Sequence, residues 1–223
     1  WQAKIAVFFF LILSIWWVIN NFVIGNQNIR YDGYGDFGEV YGIMAFLGGI
    51  WGIGISRKWG GVKSVMGRAI LMFSLGLFAQ EFGQITYALY NDFYKTPGPY
   101  PSLGDVGFFG SIPLYIYGVS LLAKASGVRI KLRSFANKMQ AIVVPVGMLV
   151  IGYYLFLQGY KFDWTDPIKI FLDFGYPFGQ AIYISIALLT YILSKGVLGG
   201  LMKRNILFVL FALMNQFLCD YTF

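Results

Sequence analysis

All ten Asp and Glu residues of this 223-residue chain lie in, or at the same end of, alternate connections between strongly apolar segments. The intervening connections carry only Lys and Arg. A soluble fold has no reason to sort charge this way. A chain that crosses a bilayer repeatedly does, because short loops rich in Lys and Arg stay in the cytoplasm. The composition agrees: 58% of residues are hydrophobic and 12% charged, against roughly 25% charged in a typical soluble chain.

About twenty apolar residues span the hydrocarbon core. Seven such spans are expected, near 4–25, 39–56, 65–90, 101–123, 138–158, 168–194 and 203–223. The connection at 56–68 holds Arg57, Lys58, Lys63 and Arg68. The one at 123–138 holds Lys124, Arg129, Lys131, Arg133 and Lys138, and the one at 194–204 holds Lys195, Lys203 and Arg204. With Lys4, thirteen of the 17 basic residues fall on one side. The pattern predicts a single all-α transmembrane helical domain over residues 1–223. It would be a polytopic, multi-pass bundle in the cell membrane with a cytoplasmic N-terminus. The first segment is too long and too polar for a cleaved signal peptide. The net charge of +7 needs no nucleic-acid partner, since membrane lipids with anionic headgroups suffice.

Internal repetition is expected as well. Residues 68–87 (RAILMFSLGLFAQEFGQITY) align without gaps to 204–223 (RNILFVLFALMNQFLCDYTF), so that Arg68 matches Arg204 and Gln80 matches Gln216. At a spacing of 66, Gly38-Glu39-Val40 matches Gly104-Asp105-Val106. Helical hairpins of about 60–70 residues would recur in parallel. Because segment three pairs with segment seven, an eighth segment is expected beyond Phe223.

Ionisable groups within apolar spans are costly, so each invites a partner or a role. Glu81 is the deepest acid. Gln84 shares its helical face at i+3, and Gln80 adjoins it. Asp105 lies about one turn into segment four, where acids favour a helix start and Ser102 suits the N-cap. Asp173 and Gln180 lie in segment six; Asn215, Gln216 and Asp220 lie in segment seven. The threading places all of them in the outer half of the bilayer. Glu81, Gln84, Asp105, Asp173, Gln180, Gln216 and Asp220 are therefore candidate ligand-binding residues lining one outward-facing polar cavity. The alternative is that each bridges helices or caps one. No basic residue is placed to neutralise Glu81, which fits a proton-sensing or proton-carrying role. Pro113, Pro145 and Pro177 fall within segments four to six, where proline frees a carbonyl and breaks often border cavities. Gly48/Gly52 and Gly175/Gly179 are small-xxx-small pairs suited to close helix contact.

The most distinctive stretch is Pro99-Tyr100-Pro101-Ser102-Leu103-Gly104-Asp105-Val106-Gly107-Phe108-Phe109. It resembles the PYPSLADxFFL signature of polytopic input regions that precede cytoplasmic GGDEF, EAL or kinase modules in prokaryotic signalling proteins. Gly175-Tyr176-Pro177 is similar to a later Tyr-Pro element of that family. The chain departs from the pattern at Gly104, where Ala is common, at Ile112-Pro113, where Tyr-Pro is usual, and at Gln180, where an acid is expected. The resemblance spans segments three to six. It implies a sensory or ligand-binding membrane domain whose output module is missing, detached or never existed.

Three functions are compatible with these features. The first is a sensor or receptor bundle in which a small ligand or cation enters the outer cavity. The second is a cation or proton transporter or channel, although the inner halves of the spans lack matching ionisable groups. The third is a non-catalytic membrane subunit that packs against partner helices. An enzyme is not expected. His is absent and Cys219 is the only cysteine, which leaves no catalytic triad, Cys-rich metal cage or His-ligated haem. No cofactor or metal is expected. Each Lys lies near a span end, away from any mid-membrane Schiff base.

Overall fold

The computed structural model describes residues 2–19, 22, 40–94, 99–126, 134–161, 164–194 and 200–219. Among these residues the regular elements are helical. Seven α-helices follow in order: α1 (Gln2–Val18), α2 (Ile43–Lys58), α3 (Val65–Tyr94), α4 (Leu103–Ala125), α5 (Phe135–Gly152), α6 (Pro167–Ser194) and α7 (Gly200–Cys219). A 3₁₀ turn, Gly61–Lys63, leads into α3, and a π-helical turn, Tyr153–Leu157, follows α5.

Four segments are long and apolar enough to cross a membrane: Val65–Tyr90 in α3, Leu103–Ala125, Phe135–Gly152, and Pro167–Leu193 in α6. These mark the chain as a membrane protein. The expected spans at 4–25, 39–56 and 203–223 correspond to shorter helices. α2 has 16 residues, about 24 Å of helix at 1.5 Å per residue, below a hydrocarbon core of about 30 Å. In α1 and α7 the apolar stretches are Lys4–Val18 and Arg204–Phe217. The remainder of those expected spans, at 20–21, 23–25, 39 and 220–223, lies outside the described residues.

Local chemistry sets the helix starts. Ser64 caps α3: the Gly67 N–H donates to its Oγ at 2.8 Å and the Arg68 N–H to its carbonyl at 3.0 Å. Asp166 caps α6 by accepting from the Lys169 N–H at 3.0 Å. Pro167 then takes the first helical position, where a missing N–H costs nothing. The turn before α3 needs Gly60 at φ 89° and Gly61 at φ 54°, both left-handed, where a side chain would be strained. Pro113, Pro145 and Pro177 each sit inside a helix that continues past them.

The chain divides into two compact units, residues 1–54 with 74–111, and residues 55–73 with 112–223. α3 and α4 contribute to both. In the first unit, glycines on α2 face α3: Gly48 lies against Leu77, Gly49 against the Phe78 ring and Gly52 against Ser74. Glycines on α3 and α4 also interlock, with Gly83 under the Phe108 ring and Gly107 against the α3 backbone at Ala79 and Gly83. Small residues permit this approach, and packing rather than the hydrophobic effect then holds helices together in lipid.

The second unit is built around α6, which packs against α5 and α7. Leu172, Ala181, Tyr183, Ile184, Ala187 and Leu193 of α6 are buried. The Tyr183 ring meets Tyr115 edge-on at 5.9 Å, and Gly179 lies against Ile112. Near the helix ends, Ala69, Leu121, Leu122 and Ile206 form one buried cluster. Elsewhere large apolar side chains such as Val106, Ile142, Phe171 and Phe211 are exposed, as a lipid-facing surface requires.

Candidate functional site

The polar residues of the first unit gather where α2 begins beside α3. Residues 41–42 form the turn into α2, with the Ala45 N–H donating to the Gly42 carbonyl at 2.8 Å. The Gln84 side chain on α3 donates through Nε2 to the Tyr41 hydroxyl. One turn back along α3, the Glu81 carboxylate rests on Gly42: a Cβ at Gly42 would collide with Glu81 Oε2 and lie 3.3 Å from Gln84 Cβ. Glycine there leaves the carboxylate room without the Glu81 side chain having to swing aside. Glu81 Oε2 is buried and has no hydrogen-bond partner among the described residues. Burying an unsatisfied polar atom costs about 1–3 kcal/mol, more when it is charged. The arrangement therefore has unfilled capacity to accept a cation or an N–H or O–H donor.

Around this centre the other polar groups are engaged. Gln80 Nε2 donates to Ser111 Oγ on α4 at 2.8 Å, and Ser111 donates onward to the Phe108 carbonyl at 2.7 Å. Asp105 closes its own helix start. Its Oδ2 accepts from the Ser102 N–H at 2.7 Å and the Ser102 hydroxyl at 3.1 Å, while Ser102 Oγ accepts from the Gly104 N–H at 3.1 Å. This reciprocal pairing is a capping box with Asp at the acidic position. The Tyr87 ring fills the space beside Gly104. The distinctive stretch around 99–109 thus builds the start of α4 and its contact face with α3.

Asp173, Gln180 and Gln216 belong to the second unit. Asp173 Oδ2 accepts from the Tyr160 hydroxyl at 2.6 Å, and the Tyr160 ring packs edge-on against Phe174 at 5.3 Å. Gln180 is 2% exposed, and Gln216 is half-buried. Asp220 lies outside the described residues. Tyr41, Gly42, Ser111 and Tyr160 were not singled out from sequence as partners of these groups. Tyr41 is 43 positions from Gln84, a separation that no helical periodicity reveals. Tyr160 carries the ordinary signal of an interfacial aromatic, which masks its role as a donor.

The fold and site define a helical membrane protein with a carboxylate held within a membrane-length helix. Comparison with protein-family models, curated proteins and solved structures finds no match.

Proposed function

We propose that the chain is a membrane sensor or receptor-like domain in which Glu81 and Gln84, with Tyr41 and Gly42, hold a small cationic or hydrogen-bond-donating ligand. One observation carries this reading: the buried Glu81 Oε2 without a hydrogen-bond partner among the described residues, seated on Gly42 beside the Gln84–Tyr41 pair. A single carboxylate among neutral oxygens suits a singly charged ligand, since Ca²⁺ takes six to eight oxygens and usually several carboxylates. In this reading the chain is threaded seven times with its N-terminus in the cytoplasm. Its hairpins recur, and the site opens outward. The likeness of residues 99–109 to signalling input regions supports a sensory role. Asp105 and Asp173 serve their own elements, as a cap and as the acceptor for Tyr160.

The test uses the full chain in nanodiscs, with its thermal midpoint followed against Na⁺, K⁺ and ammonium and with N-methylglucamine as the inert cation. A ligand of the native state raises the midpoint by mass action. The expected result is a rise with one of the three cations that Glu81→Gln removes. An identical response of both proteins to every probe would overturn the reading. Flux of the same cation through proteoliposomes would move the assignment from sensor to transporter.

A further inference from the structure

We propose that the turn between α2 and α3, together with the adjoining ends of α4 and α7, forms a binding site for the phosphate of an anionic phospholipid, with Arg68 at its centre.

The site is assembled by the buried cluster of Ala69, Leu121, Leu122 and Ile206 in the second unit. Each helix in that cluster carries a basic residue within about one helical turn of its cluster member. Arg68 precedes Ala69, Lys124 follows Leu122 and Arg204 precedes Ile206. The turn itself adds Arg57, Lys58 and Lys63. Residues 55–73, 121–126 and 200–209 contain no acid, so these charges have no counterion within those segments. Arg57, Lys58, Lys63, Lys124 and Arg204 are exposed. Arg68 differs from them: it is half-buried, and its Nε is buried with no hydrogen-bond partner among the described residues. A guanidinium presents its donors as a planar fork that matches phosphate oxygens. A buried member of that fork without an acceptor marks where the missing oxygen belongs.

The backbone holds this geometry rigidly. Ser56 Oγ donates to the Gly67 carbonyl at 2.6 Å, and Ser64 Oγ donates to the Trp59 carbonyl. A Cβ at Gly67 would strike the Gly61 carbonyl, so the turn folds directly onto the start of α3 and fixes Arg68 beside it.

The immediate surface favours a lipid over a soluble acidic partner. Trp59 and Val62, beside Lys58 and Lys63, are 49% and 68% exposed. Trp is enriched at the membrane interface, and an apolar side chain among cations matches acyl chain below and headgroup above. The turn also lies at the first residue of a membrane-length segment, Val65–Tyr90.

The test is native mass spectrometry of the full chain released from nanodiscs of phosphatidylcholine alone or mixed with phosphatidylglycerol. The wild type should retain phosphatidylglycerol in preference to phosphatidylcholine. Arg68→Gln should reduce that preference about fivefold, the effect expected per basic residue at a membrane surface. Arg68→Lys, which keeps charge but loses the fork, should fall between. Lys124→Gln with Arg204→Gln alters exposed side chains only and should weaken the preference too. That pair decides the question if Arg68→Gln loses helical circular dichroism. Unchanged retention in the folded variants overturns the proposal. Displacement of the lipid by millimolar inorganic phosphate also overturns it, because the site would then be one for a free anion.

Discussion

Gly107→Ala tests the packing that positions the α3–α4 pair. A Cβ at Gly107 would run into the Ala79 carbonyl oxygen, 2.7 Å from the Gly83 nitrogen and 2.8 Å from the Phe82 ring. Two of these neighbours are backbone atoms and cannot swing aside. Restoring ordinary contact, near 3.5–4.0 Å, requires the helices to part by about 1 Å. Overpacking of this kind costs about 1–3 kcal/mol. Gly110, one turn along the same helix, is the internal control, because a Cβ there meets nothing within 4 Å. Replacing glycine by alanine within a helix is worth about 0.5–1 kcal/mol in either case. That gain cancels between the two variants, and their difference reports the clash alone. Reversible unfolding of the purified chain by SDS in mixed micelles, followed by circular dichroism, gives both free energies. The expected gap is about 1–3 kcal/mol in favour of Gly110→Ala. A gap within the scatter of ordinary surface substitutions, about 0.5 kcal/mol, would refute the close approach of α4 to the α3 backbone.

Other consequences follow from particular contacts. Asp105→Ala removes the acceptor for both Ser102 donors and should cost about 1 kcal/mol, seen as faster amide exchange confined to the start of α4. The Gln80–Ser111 bond should give a coupling near ~0.6 kcal/mol in a double-mutant cycle, typical for helix pairs in membranes; a zero value would place the two side chains apart. Tyr160→Phe should destabilise by about 1 kcal/mol through loss of the bond to Asp173, and should have no further effect in an Asp173→Ala background, where the acceptor is gone, if that bond is the whole cause. Gly42→Ala crowds Glu81 Oε2 and forces the carboxylate to shift, and should weaken the cation-induced rise in thermal midpoint that Glu81→Gln removes.

Much of the helical layout can be read from one-dimensional patterns, because each pattern has a local cause. Ser102 and Asp105 are three apart, the reach of a side chain across a first helical turn, so the cap was visible before the fold. Glu81 and Gln84 are likewise on one face by spacing alone. The Gly48/Gly52 pair signalled a tight contact, and the structure sets both residues against α3. The partners that complete the candidate site are a different matter. Tyr41 reaches Gln84, and Gly42 receives Glu81, only because two helices pack side by side. Nothing in either local segment encodes that juxtaposition. The distinctive stretch at 99–109 shows the same limit. Its residue identities stood out, but the reason Gly107 is glycine lies on another helix.

Six polar side chains among the described residues satisfy their donors in one economical way. Thr86 donates to the Phe82 carbonyl, Ser120 to Ile116, Ser126 to Leu122, Ser185 to Ala181, Thr190 to Ile186 and Asn215 to Phe211. Each reaches back four residues along its own helix. Bonds of this kind satisfy a donor in hydrocarbon without help from a neighbouring helix, so these residues place little constraint on packing. A carboxylate cannot use the device, because it has no proton to donate when ionised, and a guanidinium has more donors than one carbonyl can satisfy. Glu81 and Arg68 therefore depend on something outside their own helix. Glu81 Oε2 sits in the span against a glycine, and Arg68 Nε sits at the basic end of the same helix. Among the described residues, α3 thus carries an unmet acceptor within the membrane-length segment and an unmet donor at its margin. A ligand at the first and a headgroup at the second would satisfy both without any change in the helix itself.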